Sequence, residues 1–128
     1  SIASSETVGI VYFLMRFKSP NEKIKTAVKQ AVAWLQQVKI VGFEYKDIDA
    51  PTLPKGKDRI LIPNKNESVW ARFYDIKTGK PIFAGRDAQK HFQLAEIEHE
   101  RRIGYGWYGT WPKKLLDKDF ITWEKEVN

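Results

Sequence analysis

The chain has 128 residues, a formal net charge of +6 and no cysteine. At 42% hydrophobic and 30% charged residues it is globular rather than disordered, with enough length for one domain. The missing cysteines exclude disulfides, thiolate metal sites and a cysteine nucleophile, and no apolar run reaches the roughly 18 residues of a membrane span.

In chain order, Ser4-Ser5-Glu6-Thr7 predicts a helix start, with a hydroxyl to cap the first free amides. The run from Val8 to Phe17 is apolar on nearly every face, the pattern of a helix with neighbours all round. Ser19-Pro20-Asn21-Glu22 predicts a capping box with proline at the first helical position. The stripe Ile24, Ala27, Val28, Ala31, Leu35, Val38 makes the second helix amphipathic and completes a helical hairpin, with Trp34 packing at its edge. Lys39 to Tyr45 predicts a short strand. Residues 47–66, broken by Pro51, Pro54, Gly56 and Pro63, predict a long lysine-bearing surface loop with one short strand at 59–62. Val69 to Ile76 and Pro81 to Phe83 predict a β-hairpin about the turn Lys77-Thr78-Gly79-Lys80. Residues 94–102 predict a short helix with Leu94, Ile97 and Arg101 on one face. Pro112 opens a last helical turn through Leu115 and Leu116. The fold class is therefore mainly α with short irregular β-strands, a helical hairpin plus a β-hairpin, in a single unit over 1–128.

The chemistry-bearing residues lie in the second half. Arg72 and Arg86 each stand in an extended segment among apolar and aromatic neighbours. A guanidinium there suits a carboxylate gripped in two places; an internal ion pair, Arg86 with Asp75 or Arg72 with Asp87, is the other option. Tyr105, Trp107, Tyr108 and Trp111, spaced by glycines, make either an aromatic platform for a sugar ring or a packed plug. Of Glu96, Glu98 and Glu100, most form a solvated face, and one of the last two can orient an arginine. Two histidines, His91 and His99, fall short of the three convergent ligands a metal site needs. The opening Ser1-Ile2-Ala3-Ser4 has no basic stretch followed by an apolar one, so no uncleaved signal peptide is expected.

Several of these segments, in this order, resemble the C-terminal third of the family 10 polysaccharide-lyase pectate lyases. They are Trp70-Ala71-Arg72-Phe73-Tyr74, Pro81-Ile82-Phe83, Gly85-Arg86-Asp87, Glu96-Ile97-Glu98, Glu100-Arg101-Arg102, Gly104-Tyr105 and Trp107-Tyr108-Gly109. The start, Ser4 to Val11 with Leu14 and Met15, is similar to the segment that follows the family's base-bearing motif. The resemblance implies part of an incomplete toroid of helical hairpins. It implies calcium-assisted β-elimination of polygalacturonate, with an arginine removing the C5 proton of a galacturonate, and a secreted or periplasmic location. Arg86, Arg72, Asp87, Tyr105, Trp107 and Tyr108 would bind substrate. The family's base arginine and calcium-binding aspartates would fall upstream of Ser1, so no catalytic or metal residue is expected in this chain. Ala88 stands where those enzymes commonly have glycine, and the loop over 49–66 is longer than theirs. The implied partners are an acidic polysaccharide and the N-terminal portion of the same enzyme, with no nucleic acid and no membrane. The alternatives from the residues themselves are a non-catalytic acidic-glycan-binding module and, on net charge alone, a basic nucleic-acid-binding domain.

Overall fold

The computed structural model describes all 128 residues. A two-residue strand, β1 (Ile2–Ala3), leads into α1 (Ser4–Met15), and α2 (Glu22–Gln37) returns beside it as the expected helical hairpin. The caps differ from the sequence expectation. Ser4 is fully buried, and its hydroxyl donates to the carbonyl of Ala71 at 2.6 Å instead of capping α1. That bond, with Ser4 N–H to Arg72 O at 2.8 Å, fixes the start of α1 against the residues that matter below. The second helix is capped by Asn21, whose side chain accepts the Ile24 N–H at 2.9 Å; Pro20 lies outside. Val8 and Val11 face inward on α1, while Ile10, Phe13 and Phe17 stay open to solvent on its other side.

The largest departure is at 47–66. Instead of a loop, β2 (Ile40–Asp49) and β3 (Lys57–Ala71) form one long antiparallel hairpin, in register from Ile40 opposite Val69 to Asp49 opposite Lys57. An irregularity between Val41 and Phe43 shifts the register, and Gly42 takes φ of +89°, a value open to glycine at little cost. No residue of β2 is fully buried, and the hairpin packs on the body through Tyr45 against Tyr108 and Asp58 against Arg102. Its base is buried at Val69, Trp70 and Ala71.

The expected hairpin over 69–83 is present in shortened form. β3 stops at Ala71, and β4 (Phe73–Tyr74) pairs with β1. Tyr74 bridges to Pro81 across the turn. β5 (Phe83–Ala84) pairs with β6 (Lys90–His91). The helix expected over 94–102 is split into a 3-10 turn at Leu94–Glu96 and α3 (His99–Gly104). β7 (Tyr108–Gly109) then pairs with the end of β3. Past Pro112 the chain makes more than a turn: a π-helical stretch at Leu115–Asp119 runs into α4 (Phe120–Val127). Helix accounts for 43% and strand for 28% of the chain, so the strand share exceeds the mainly-α expectation. One helical hairpin, α1 with α2, is present.

Two apolar clusters result. The larger joins Val8, Val11, Val28, Val32 and Leu35 to Trp70, Leu115, Leu116 and Trp123. The smaller is Phe83, Ile97 and Trp107, with Phe73, Leu94 and Tyr108 against it. Asp75 opens the turn between β4 and β5. Its carboxylate accepts from Lys90 Nζ at 2.7 Å and from the Thr78 hydroxyl and N–H, both at 2.9 Å. The Lys90 ammonium first, and the Thr78 donors next, hold its pKa at about 2 against an ordinary 3.8. A carboxyl depressed in the folded state adds stability above its unfolded pKa and loses it as pH falls through the folded one. Asp75→Asn is therefore expected to lower the midpoint of chemical unfolding at neutral pH, with the gap to wild type closing between pH 4 and pH 2. A gap that stays constant down to pH 2 would contradict this.

Candidate carboxylate-binding site

Arg72 occupies the break between β3 and β4, where its own N–H donates to Trp107 O at 2.7 Å. Its guanidinium lies between two rings, 4.9 Å from the centre of Tyr105 and 4.6 Å from that of Trp111. Nε donates to Gly106 O at 2.7 Å and Nη1 to the Ser5 hydroxyl at 3.4 Å; no carboxylate meets it. A Cβ at Gly106 would come within 3.1 Å of Nη2, so glycine there lets the main chain close on the guanidinium.

Arg86 follows β5. Its N–H is shared between the two Glu98 carboxylate oxygens, each at 3.1 Å, which anchors the backbone. The side chain is free of that anchor: its guanidinium pairs with the carboxylate of Glu100 on α3, and both side chains are more than half exposed. Gly85 before it leaves room for the Glu98 carboxylate, since a Cβ there would stand 2.7 Å from Oε2 and push it aside. The internal pair considered from the sequence thus exists with a different partner: Asp75 goes to Lys90, and Asp87 goes to His91 at 2.8 Å. The Gln89 N–H and then His91 hold the Asp87 carboxyl below its ordinary range. Ala88 takes φ of +59°, in the left-handed region where glycine is at ease.

Tyr105 and Trp107 meet at 4.8 Å between ring centres, and Phe73 lies 6.2 Å from Tyr105. These three rings, with Glu100, Arg101 and Gly104, line a hollow of about 330 Å³. Tyr105 is open to solvent, while Trp107 is 4% exposed and shows only an edge. Tyr108 is elsewhere: half-buried, it lines a different cavity of about 430 Å³ with Leu61, Phe92 and Leu94. Its phenol pKa is pushed up by burial. Asp87 lines neither cavity. The predicted set therefore separates: Tyr105 and Trp107 line the hollow, Arg72 and Arg86 touch its lining residues, Tyr105 and Glu100 respectively, without lining it themselves, and Asp87 and Tyr108 lie apart from it.

Arg101 joins the hollow, although its residue type and spacing did not single it out. Its side chain has no carboxylate partner, and its carbonyl accepts the Trp107 indole N–H at 2.8 Å. Arg102, next along α3, grips Asp58 through Nε at 2.9 Å and Nη2 at 3.2 Å, and Nη1 donates to Ile97 O at 2.7 Å. Both members of that pair are mostly buried. The long hairpin thereby pins α3, which in turn presents Glu100 and Arg101 to the hollow. Arg101 on the wall, with Arg72 stacked on Tyr105 and Arg86 paired to Glu100, makes the place attractive to an anion, and the rings give a flat apolar face to a sugar. No three of the Asp, Glu and His side chains converge where they could hold a metal ion. The calcium implied by the resemblance has no fitting ligand set among these residues.

The model of the pectic acid lyase family matches residues 1–116. A comparison with curated proteins returned no match. Two solved structures from Cellvibrio cellulosa are similar to the chain. One is a family 10 polysaccharide lyase, with a TM-score of 0.80 and 28% identity, covering 96% of this chain and 37% of that one. The other is an aspartate-to-alanine mutant of such a lyase in complex with trigalacturonic acid, with a TM-score of 0.77 and 29% identity, covering 91% of this chain and 35% of that one. The chain thus spans about a third of the length of these relatives.

Proposed function

Since the chain belongs to the pectic acid lyase family, we propose that it supplies the carboxylate-binding wall of a pectate lyase site that cleaves polygalacturonate by β-elimination. The observation that carries this is the hollow at Tyr105 and Trp107, lined by Arg101, with Arg72 stacked on Tyr105 and Arg86 paired to Glu100 on its wall. Trigalacturonic acid is the ligand of one related lyase, and it has the matching chemistry: rings that stack, each carrying a carboxylate.

In this reading the guanidinium of Arg86, or of Arg101, donates to the uronate carboxylate, and Tyr105 bears on the ring face. Neutralising that carboxylate acidifies the adjoining C5–H, because the charge that develops on removing the proton spreads onto the carboxylate oxygens. Donors fixed in advance do this best. Glu98 fixes the backbone of Arg86, and the Trp107 indole fixes that of Arg101. Proton removal itself, and any calcium, belong to residues outside these 128. A secreted or periplasmic location goes with this proposal, because a polymer of this kind is met outside the cytoplasm.

Incubating the chain with polygalacturonate and calcium is expected to give no rise in absorbance from the unsaturated product, while trigalacturonate titrated into it binds. Turnover by the 128-residue chain would overturn the division of labour. Absence of binding would overturn the hollow as the site. Binding without turnover also suits an acidic-glycan-binding module, and adding the rest of a family 10 lyase separates the two: restored turnover is expected here.

A further inference from the structure

The Arg86–Glu100 pair raises a question that the proposed function leaves open. A fork offered to substrate is already filled by a carboxylate of the protein's own. Glu100 is well placed for that part. It lines the 330 Å³ hollow, and with Gly104 it also lines the neighbouring hollow of about 460 Å³ between α3 and the hairpin tip at Pro54 and Lys55. It therefore stands on the lip between the two. No hydrogen bond other than the contact with Arg86 holds its carboxylate. Glu98, two residues earlier, has the opposite character, because both of its oxygens are taken up by the Arg86 backbone N–H.

The two carboxylates divide the work on one arginine. Glu98 fixes where Arg86 leaves the chain. Glu100 occupies where Arg86 ends. With 64% of the Arg86 side chain and 57% of the Glu100 side chain exposed, the outer pair is screened by water and cheap to break. Arg101, adjacent to Glu100 and without a partner, remains available as Glu100 swings away.

We infer that Glu100 is a resident competitor: it fills the Arg86 fork in the free protein, a uronate carboxylate displaces it, and it thereby sets the affinity of the site for acidic sugar. This rests on the proposed role of Arg86. The roles predict opposite signs for one substitution. A competitor, once neutralised, leaves the fork open and binding tightens; a residue that aims Arg86 at the substrate, once neutralised, leaves the fork adrift and binding weakens.

The test is calorimetric titration of trigalacturonate into wild type, Glu100→Gln, Arg86→Ala and the double variant. An exposed ion pair of this kind corresponds to about a two- to five-fold tightening in Glu100→Gln. In the Arg86→Ala background the same change should do nothing, because there is no fork left to vacate. Unchanged or weaker binding in Glu100→Gln overturns the inference. So does an equal gain of the double variant over Arg86→Ala, which would mark a general charge effect. If Arg86→Ala binds as wild type does, or wild type does not bind, the carboxylate-binding role itself fails. Weaker binding in Arg86→Ala without a gain in Glu100→Gln removes only the competitor.

Discussion

Trp70→Ala is expected to cost about 3–5 kcal/mol of stability, the range for emptying the place of a large buried aromatic. Trp70 is 1% exposed, in the cluster where α1, α2 and the C-terminal helix meet. Its indole N–H donates to Leu35 O at 2.8 Å at the end of α2, so the substitution also strands an acceptor. Whole domains hold only about 5–15 kcal/mol in reserve. For a chain of this size the melting temperature should therefore fall by roughly 10–25 °C, read by circular dichroism. A drop of under about 5 °C would mean that the helices hold together without this indole. Trp123 is a useful contrast, because its buried indole N–H has no partner and nothing polar is stranded when it is lost.

The second large effect is on binding. Arg86→Ala is expected to weaken trigalacturonate binding by about 10- to 100-fold, the worth of a charge-assisted hydrogen-bond pair of about 1.5–3 kcal/mol. Melting should hardly move, since the side chain is 64% exposed and its ion pair with Glu100 lies in water. Affinity lost without stability lost separates a ligand-binding arginine from a structural one. An unchanged affinity would assign sugar-acid recognition to Arg101 or to no residue of this chain.

The two helices of the hairpin were legible because their signals are local. α2 carries apolar residues at spacings of three and four, and Asn21 can cap it from within four residues of sequence. The long β2–β3 hairpin was not. No position along β2 is fully buried, so the two-residue alternation that betrays a half-buried strand is weak. Pro63 also argued against a strand. It is tolerated opposite Phe43 because β3 meets β7 only at Trp70 and Ala71, so the side of β3 away from β2 is an open edge at Pro63.

At the site, Arg86, Tyr105 and Trp107 could be picked out from residue type, since guanidinium and ring beside glycine is uncommon in a core. Arg101 was hidden by helix phase. A helix over 94–102 puts it on the apolar side with Leu94 and Ile97, but the true α3 starts at His99 and turns it outward. Tyr108 was misplaced for a reason that lies in pairing. Opposite Ala71 in the β7–β3 ladder, it packs against Phe83 and Tyr45 and lines the other cavity. Glu100 drew notice only as a residue able to orient an arginine; its contact with Arg86 depends on tertiary placement that no spacing encodes.

Arg72 carries a mechanical consequence. The two rings that sandwich it belong to different halves of the molecule: Trp111 packs on the helical cluster, and Tyr105 stacks with Phe73 beside the smaller aromatic one. Its remaining bonds reach Gly106 and, through Ser5, the first turn of α1. A rivet through both halves transmits load, so any tilt of Tyr105 also pulls on the root of α1, and a strain applied to that helix is felt at the Tyr105 ring.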